Sequence, residues 1–224
     1  MVSRTKLLLG AVGLVGLGVA TRRYVQDRTT PRVDYETVAR VGDVAVRRYP
    51  PAVVVETVAP SETVAFRRLF RYISGENRSA TEVSMTAPVE SARADEAAAA
   101  TAQEESETVP MTAPVESERS DGGVRMAFYL PAGYDFDSAP RPTDDAVRLV
   151  ERPGQTVAVL GFSWWATEGR VARKTDELRA TLAAADGEYE EVGDPFLLRY
   201  EGPWVPPFLR TNEVGVAVRR ASSA

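Results

Sequence analysis

From residue 35 onward, apolar and polar positions fall into short alternating runs broken by Gly and Pro. YETVARVGDVAVRRY (35–49) alternates and turns at Val41-Gly42-Asp43, which predicts a β-hairpin. AVVVETV (52–58) is β-branched and bounded by Pro50-Pro51 and Pro60, which predicts a further strand. The period then changes. In SETVAFRRLFRYISG (61–75) the apolar positions Val64/Ala65, Leu69 and Tyr72/Ile73 recur at helical spacing, with Phe66 and Phe70 on an adjoining stripe and Arg67, Arg68 and Arg71 on the remainder. Ser61 supplies a start, Glu62 suits the first turn and Gly75 supplies a stop. This amphipathic helix is expected to lie on a sheet.

Further along, RMAFYL (125–130) reads as a strand stopped by Pro131, and the plan then repeats. Residues 147–151 and 156–162 form two strands around Pro153-Gly154, and a helix follows over 167–185. Thr167 is its candidate cap, Gly187 its end, and Val171, Leu178 and Leu182 its inward positions. Strands over 196–200 and 214–218 close the chain. The order of strands, helix and strands, given twice, predicts an α+β fold of two similar halves whose sheets join into a mainly antiparallel, barrel-like structure.

Two segments stand outside this plan. Residues 7–20 (LLLGAVGLVGLGVA) are uncharged and apolar, flanked by Arg4/Lys6 and Arg22/Arg23. At about 1.5 Å per residue they cover about 21 Å, short of a hydrocarbon core of about 30 Å. Thr5 and residues 21–24 extend the run if the arginines snorkel. A cleaved signal peptide shares the basic start, but Thr21-Arg22-Arg23 is a poor cleavage region, and a twin-arginine signal carries its pair before the apolar run. A retained anchor over 7–24, with a linker to residue 32, fits the two basic flanks best. The heavier flank on the C-terminal side favours a cytoplasmic domain. The second segment, ARADEAAAATAQEESET (92–108), is an acidic low-complexity insert.

Composition narrows the chemistry. The 224 residues include no Cys and no His, which excludes disulfides, Cys/His zinc sites, thiol catalysis, Ser-His-Asp triads and histidine-ligated haem. Net charge is −5, but residues 33–224 hold 21 basic and 31 acidic side chains, a body that repels nucleic-acid backbones. Only Lys6 and Lys174 are lysines; an acidic, Arg-rich body suits a high-salt cytoplasm or reflects a GC-rich genome.

The insert is framed by an internal echo: MTAPV occurs at 85–89 and again at 111–115. Each copy is expected to be a strand end whose Pro terminates pairing or lies at an edge. With FRRLFRYISGEN (66–77), MAFYLPAGYDF leading into Pro140-Arg141-Pro142, and the closing Tyr200-x-x-Pro203 and Arg210-Thr211-Asn212-Glu213-Val214, these copies resemble the SOUL haem-binding protein family. The resemblance covers residues 33–219, leaving 220–224 as a tail. It implies a distorted antiparallel β-barrel of two pseudo-symmetric halves flanked by two long helices. It also implies a non-catalytic protein that binds haem or a related tetrapyrrole.

Family members with an axial ligand use His, absent here. Others hold the macrocycle on an apolar groove beside the first helix, with basic side chains near the propionates. That resemblance places Arg71 on a basic family position with Arg67 one turn earlier, and puts Pro206 where a second basic position lies. Phe70 belongs to the same groove. Met85, Met111, Tyr49, Tyr72, Tyr129 and Tyr200 read as core or rim residues before they read as iron ligands. In a strand, Trp164 and Trp165 face opposite ways, so one indole enters the core and the other, with Phe162 and Trp204, offers a flat platform or caps the barrel. Asn212-Glu213 belongs to the closing motif, and Glu213, at a strand start, is expected to tie down the Pro-rich turn. The alternative function is small-molecule sensing or protein interaction on the same scaffold without haem.

Overall fold

The computed structural model describes residues 30–79, 106–120, 123–185, 188–202 and 205–221. The N-terminal apolar run, the first MTAPV copy, most of the acidic insert and Trp204 lie outside these residues.

The first hairpin forms as its alternation predicts: β1 (Glu36–Val41) pairs antiparallel with β2 (Val44–Tyr49) across Gly42, whose φ of +56° suits glycine. β3 (Ala52–Ala59) leads into α1 (Glu62–Ile73), where the Ser61 hydroxyl accepts the Val64 amide. α1 buries Ala65, Leu69, Tyr72 and Ile73, and Gly75 (φ +109°) ends it in a left-handed turn. The short β4 (Asn77–Arg78), β5 (Thr112–Ser120) and β6 (Gly123–Tyr129) complete the first half. β7 (Arg141–Pro142) pairs with β4. The second half runs β8 (Val147–Arg152), β9 (Gln155–Phe162), α2 (Glu168–Ala183), β10 (Tyr189–Glu191), β11 (Phe196–Arg199) and β12 (Asn212–Arg220), with a 3-10 turn at Pro207–Leu209 before the last strand. β4, β7 and β10, of two or three residues each, are too short for a periodic signal.

The main sheet runs β1-β2-β9-β12-β11-β5-β6-β3-β8, with β10 beside β12. Strand for strand, β2-β9-β12-β11 mirrors β8-β3-β6-β5, and the two sets meet where β11 pairs with β5. β2 and β3 lie far apart in this order but are joined by two residues, Pro50-Pro51; β8 and β9 are likewise joined by Pro153-Gly154. The sheet must therefore curl until its ends meet. The two connections pack on each other so closely that a Cβ on Gly154 would lie 3.1 Å from the Tyr49 carbonyl oxygen and 3.3 Å from Pro51.

The expected barrel nevertheless does not close. Hydrogen bonding stops at β1 and β8, and the junction is covalent instead; its prolines have no N–H to add to a ladder. The expectation for Pro114 holds on one side only. On one side the ladder with β11 stops at Val115, next to this proline, as expected; on the other side pairing with β6 continues past it to Thr112, so there Pro114 does not end the strand. It lies in a register break between Thr112 and Val115, after a cis Ala113–Pro114 bond, and a bulge tolerates a residue that cannot donate.

The strand registers assign the two faces. Val53, Val55, Met126 and Phe128 pack under α1, and Val44, Val46, Ala158, Leu160, Val214 and Val216 belong to the cluster with Leu178 and Leu182 of α2. Val171, expected inward, is partly buried at its margin. The opposite face, inside the curl, carries Ala45, Arg47, Tyr49, Glu56, Glu116, Tyr129, Val157, Val159, Leu198 and Glu213.

Candidate functional site

The inside of the curl is filled. Arg47 donates both Nη groups to Glu213, each at 2.8 Å, and Tyr200 Oη donates to Glu213 Oε2 at 2.6 Å. On the other side Arg152 bridges Glu116 and Glu56, Tyr129 Oη donates to Glu116 Oε2 at 2.8 Å, and Arg148 donates to Glu56 at 2.9 Å. Bidentate guanidinium–carboxylate pairing lets these charges sit inside a fold. Burial by itself would lower the Arg47 pKa, yet its bonds to Glu213 and Tyr49 outweigh that and raise it. Among the described residues, the hollow between Val33, Tyr49, Pro114, Tyr129 and their neighbours measures about 10 Å³. No ring system fits there.

The outward face of α1 is different. Phe66 is 38% exposed and Phe70 48%, stacked one turn apart with ring centroids 5.9 Å apart and planes 16° off parallel. Phe66 also meets the edge of buried Phe128 at 5.5 Å, which roots the pair in the core. Arg67 is exposed and makes no hydrogen bond or ion pair with any described residue. Arg71 is shared between Glu76 (3.4 Å) and Asp144 (3.3 Å). Arg68 turns back to donate to the Val58 carbonyl at 3.2 Å, so it holds the helix to β3. The expected groove is here an exposed ridge: two phenyl rings with Arg67 and Arg71 along one flank of the helix, Arg67 being uncommitted among the described residues.

Asn77 fixes the end of this helix. Its Nδ2 donates to the carbonyls of Tyr72 and Glu107, each at 2.7 Å, while its Oδ1 accepts the Glu107 amide at 2.9 Å. Both ends of this buried amide are engaged, and it ties the last residues of the insert, at Glu107, to the C-terminus of α1. The motif ending in Asn77 carried this information only as a family likeness.

The tyrosines are committed elsewhere. Tyr72 Oη donates to the Pro140 carbonyl at 2.7 Å, Tyr129 to Glu116 and Tyr200 to Glu213, and burial pushes the Tyr49, Tyr72, Tyr129 and Tyr200 phenols above their ordinary value. A tyrosinate iron ligand is therefore disfavoured at each. Met111 packs against the α1 core; Met85 lies outside the described residues.

Trp164 and Trp165 do not divide between core and surface. β9 ends at Phe162, Trp164 takes φ +78°, and the indoles are 52% and 50% exposed, so strand alternation no longer applies. Their contacts are with Phe208, Arg170, Arg210 and Asn212, not with the α1 ridge. Asn212 donates to the Trp164 carbonyl at 2.9 Å, whereas Glu213 holds Arg47; it is Glu201 that accepts the Thr211 amide. The reading of Glu213 as a tie for the Pro-rich turn is thus corrected. The signal was available in principle, because a Glu at an inward strand position demands a cation.

A separate cleft of about 950 Å³ opens between the starts of α1 and α2, floored by β5 and β11. Its lining includes Glu62, Glu118, Glu168 and Asp194 against Arg119 and Arg199, and Arg199 spans to Glu62 at 2.8 Å.

With this geometry in view, the comparison with family models is decisive: the model described as SOUL heme-binding protein matches residues 30–217. The chain belongs to the SOUL haem-binding protein family. Among curated SOUL relatives, Heme-binding protein 2 of Homo sapiens is 28% identical over 182 residues, 77% of each chain. Heme-binding protein 1 of Mus musculus is 31% identical over 91 residues, 41% of this chain and 46% of the mouse protein; that match spans about half the relative's length. Solved structures of similar outline include the EcmrR C-terminal domain (TM-score 0.46, 11% identity, 84% of this chain and 99% of that one) and a hydrolase from Listeria innocua (TM-score 0.44, 10% identity, 88% and 98%). At that distance they carry no functional argument.

Proposed function

We propose that the chain binds haem or a related tetrapyrrole without catalysing a reaction, on the outward face of α1, with its domain tethered to a membrane by residues 7–24. The observation that carries the binding site is the exposed Phe66–Phe70 pair beside an uncommitted Arg67. Stacked rings offer a flat apolar surface to a macrocycle, and guanidinium groups pair with propionate carboxylates. Family membership supports the ligand class. With no His or Cys in the chain and its buried tyrosines engaged, the pigment is held by its ring and its carboxylates rather than by its iron.

Titrating the purified chain with hemin and following the Soret band tests this. A saturable change without bis-histidine character is expected, and iron-free protoporphyrin IX should bind with similar affinity. No saturable change at micromolar protein overturns the reading. A second reading, small-molecule sensing on the same scaffold, is favoured by the wide cleft between the two helix starts. It predicts that hemin, if it binds at all, is insensitive to changes at Phe70.

A further inference from the structure

The aromatic cluster after β9 has no role in the binding site proposed above. Trp164 and Trp165 are each about half exposed and Phe208 is 60% exposed; Trp164 and Phe208 lie 6.4 Å apart between centroids, and Arg210 stacks over Trp165 at 4.0 Å. The Trp164 backbone is held in a conformation unfavourable for most residues but glycine, by the hydrogen bond its N–H donates to the Pro207 carbonyl (2.9 Å) and by Asn212. The fold thus spends strain on presenting this indole outward.

Cations border the cluster on the α2 side and at Arg210, with Glu201 the carboxylate beside Trp165. Arg170 donates to the Trp165 carbonyl at 2.6 Å, and Arg170, Arg173 and Lys174 line one hollow with Ser163, where the only acidic lining residue is Glu177, paired with Lys174. This basic and aromatic face belongs to a body whose overall charge is acidic.

The chain also enters the domain at this end. Arg32 pairs with Glu201 at 3.7 Å, and Glu201 lines a hollow together with Trp165 and Arg210. Residues 25–31 connect that entry to the proposed tether at 7–24 and span at most about 25 Å when fully extended. A domain on such a short leash meets the bilayer with the end where the leash attaches.

We propose that the face formed by Trp164, Trp165 and Phe208, with Arg170, Arg173, Lys174 and Arg210 around it, seats on an anionic lipid surface. Indoles favour the headgroup level, where the ring is in apolar surroundings and the N–H stays wet, and the cations meet lipid phosphates. The orientation rests on the tether reading, and the test separates the two.

The full chain carrying Trp204→Phe, in which Trp164 and Trp165 are the remaining indoles, is mixed with phosphatidylcholine–phosphatidylglycerol vesicles, with and without bromine on the upper acyl chains. Sedimentation with vesicles reports the tether; quenching by bromine reports the face. A blue-shifted emission quenched by about twofold or more is expected at the shallow depth of an interfacial element. Trp165→Ser with Phe208→Ser should lower partitioning of a chain whose apolar run is broken by Val12→Arg and Leu14→Arg by roughly tenfold. Sedimentation without quenching overturns the face and leaves the tether; absence of both overturns both. Equal quenching on vesicles without phosphatidylglycerol overturns the anionic surface. An emission change with polyglutamate but not with brominated vesicles assigns the face to an acidic protein partner and likewise overturns the proposal.

Discussion

Truncating Phe70 to alanine separates the proposed site from the fold. Phe70 is 48% exposed, so of the roughly 200 Å² that a phenylalanine presents, about 100 Å² is open to a ligand. A macrocycle lying against one side covers about half of that, worth about 1 kcal/mol at ~25 cal/mol per Å². Hemin affinity should therefore fall by roughly 5- to 10-fold in Phe70→Ala. Phe66→Ala should lose a comparable amount, and the double variant need not equal the sum because the two rings stack. The stability costs differ. Phe66 alone contacts buried Phe128, so Phe66→Ala should also cost about 1 kcal/mol of folding stability, while Phe70→Ala should leave stability nearly unchanged. The assays are Soret titration for affinity and urea unfolding for stability, on the same preparations. A Phe70→Ala protein that folds normally and titrates with hemin like its parent refutes the assignment of the pigment to this face.

Other outcomes follow from the same geometry. Arg67→Glu should weaken hemin binding by roughly tenfold and Arg71→Glu by less, because Arg71 is shared with Glu76 and Asp144 while Arg67 is uncommitted; equal effects in Soret titration would contradict this ranking. Glu213→Gln leaves the buried Arg47 charge without its counter-ion and should cost about 3 kcal/mol or more in urea unfolding, whereas Arg47→Met with Glu213→Met should recover much of the loss. Asn77→Ala removes three hydrogen bonds of a buried side chain, two of them partly buried, and should cost about 2–3 kcal/mol, read as a lower unfolding midpoint. The Tyr72, Tyr129 and Tyr200 phenols are raised above their ordinary value when folded. Above about pH 10 the unfolded chain therefore releases protons that the folded one keeps, and stability should fall with rising pH. Absorbance near 295 nm should show these phenols ionising only as the chain unfolds; early titration of all tyrosines would contradict their burial.

What the sequence determined by itself is whatever depends on neighbours along the chain. The hairpin at Gly42, the capped and amphipathic α1, α2, and the strands on either side were legible because period, caps and breakers act locally. The absence of His and Cys likewise settled how iron is not held before any fold was known. Tertiary structure alone decided the rest. Two-residue connections ending in Pro and Gly curl the sheet but cannot close its ladder, so the barrel is open. Pairing across 166 residues put Glu213 on Arg47 rather than on its neighbouring turn, because a buried carboxylate takes the cation that the register delivers. The left-handed turn at Trp164 broke the alternation that would have buried one indole, and long-range bonds from Pro207 and Asn212 hold that turn. Sequence period fixes which side of an element a residue occupies; only the assembled sheet fixes what that side faces.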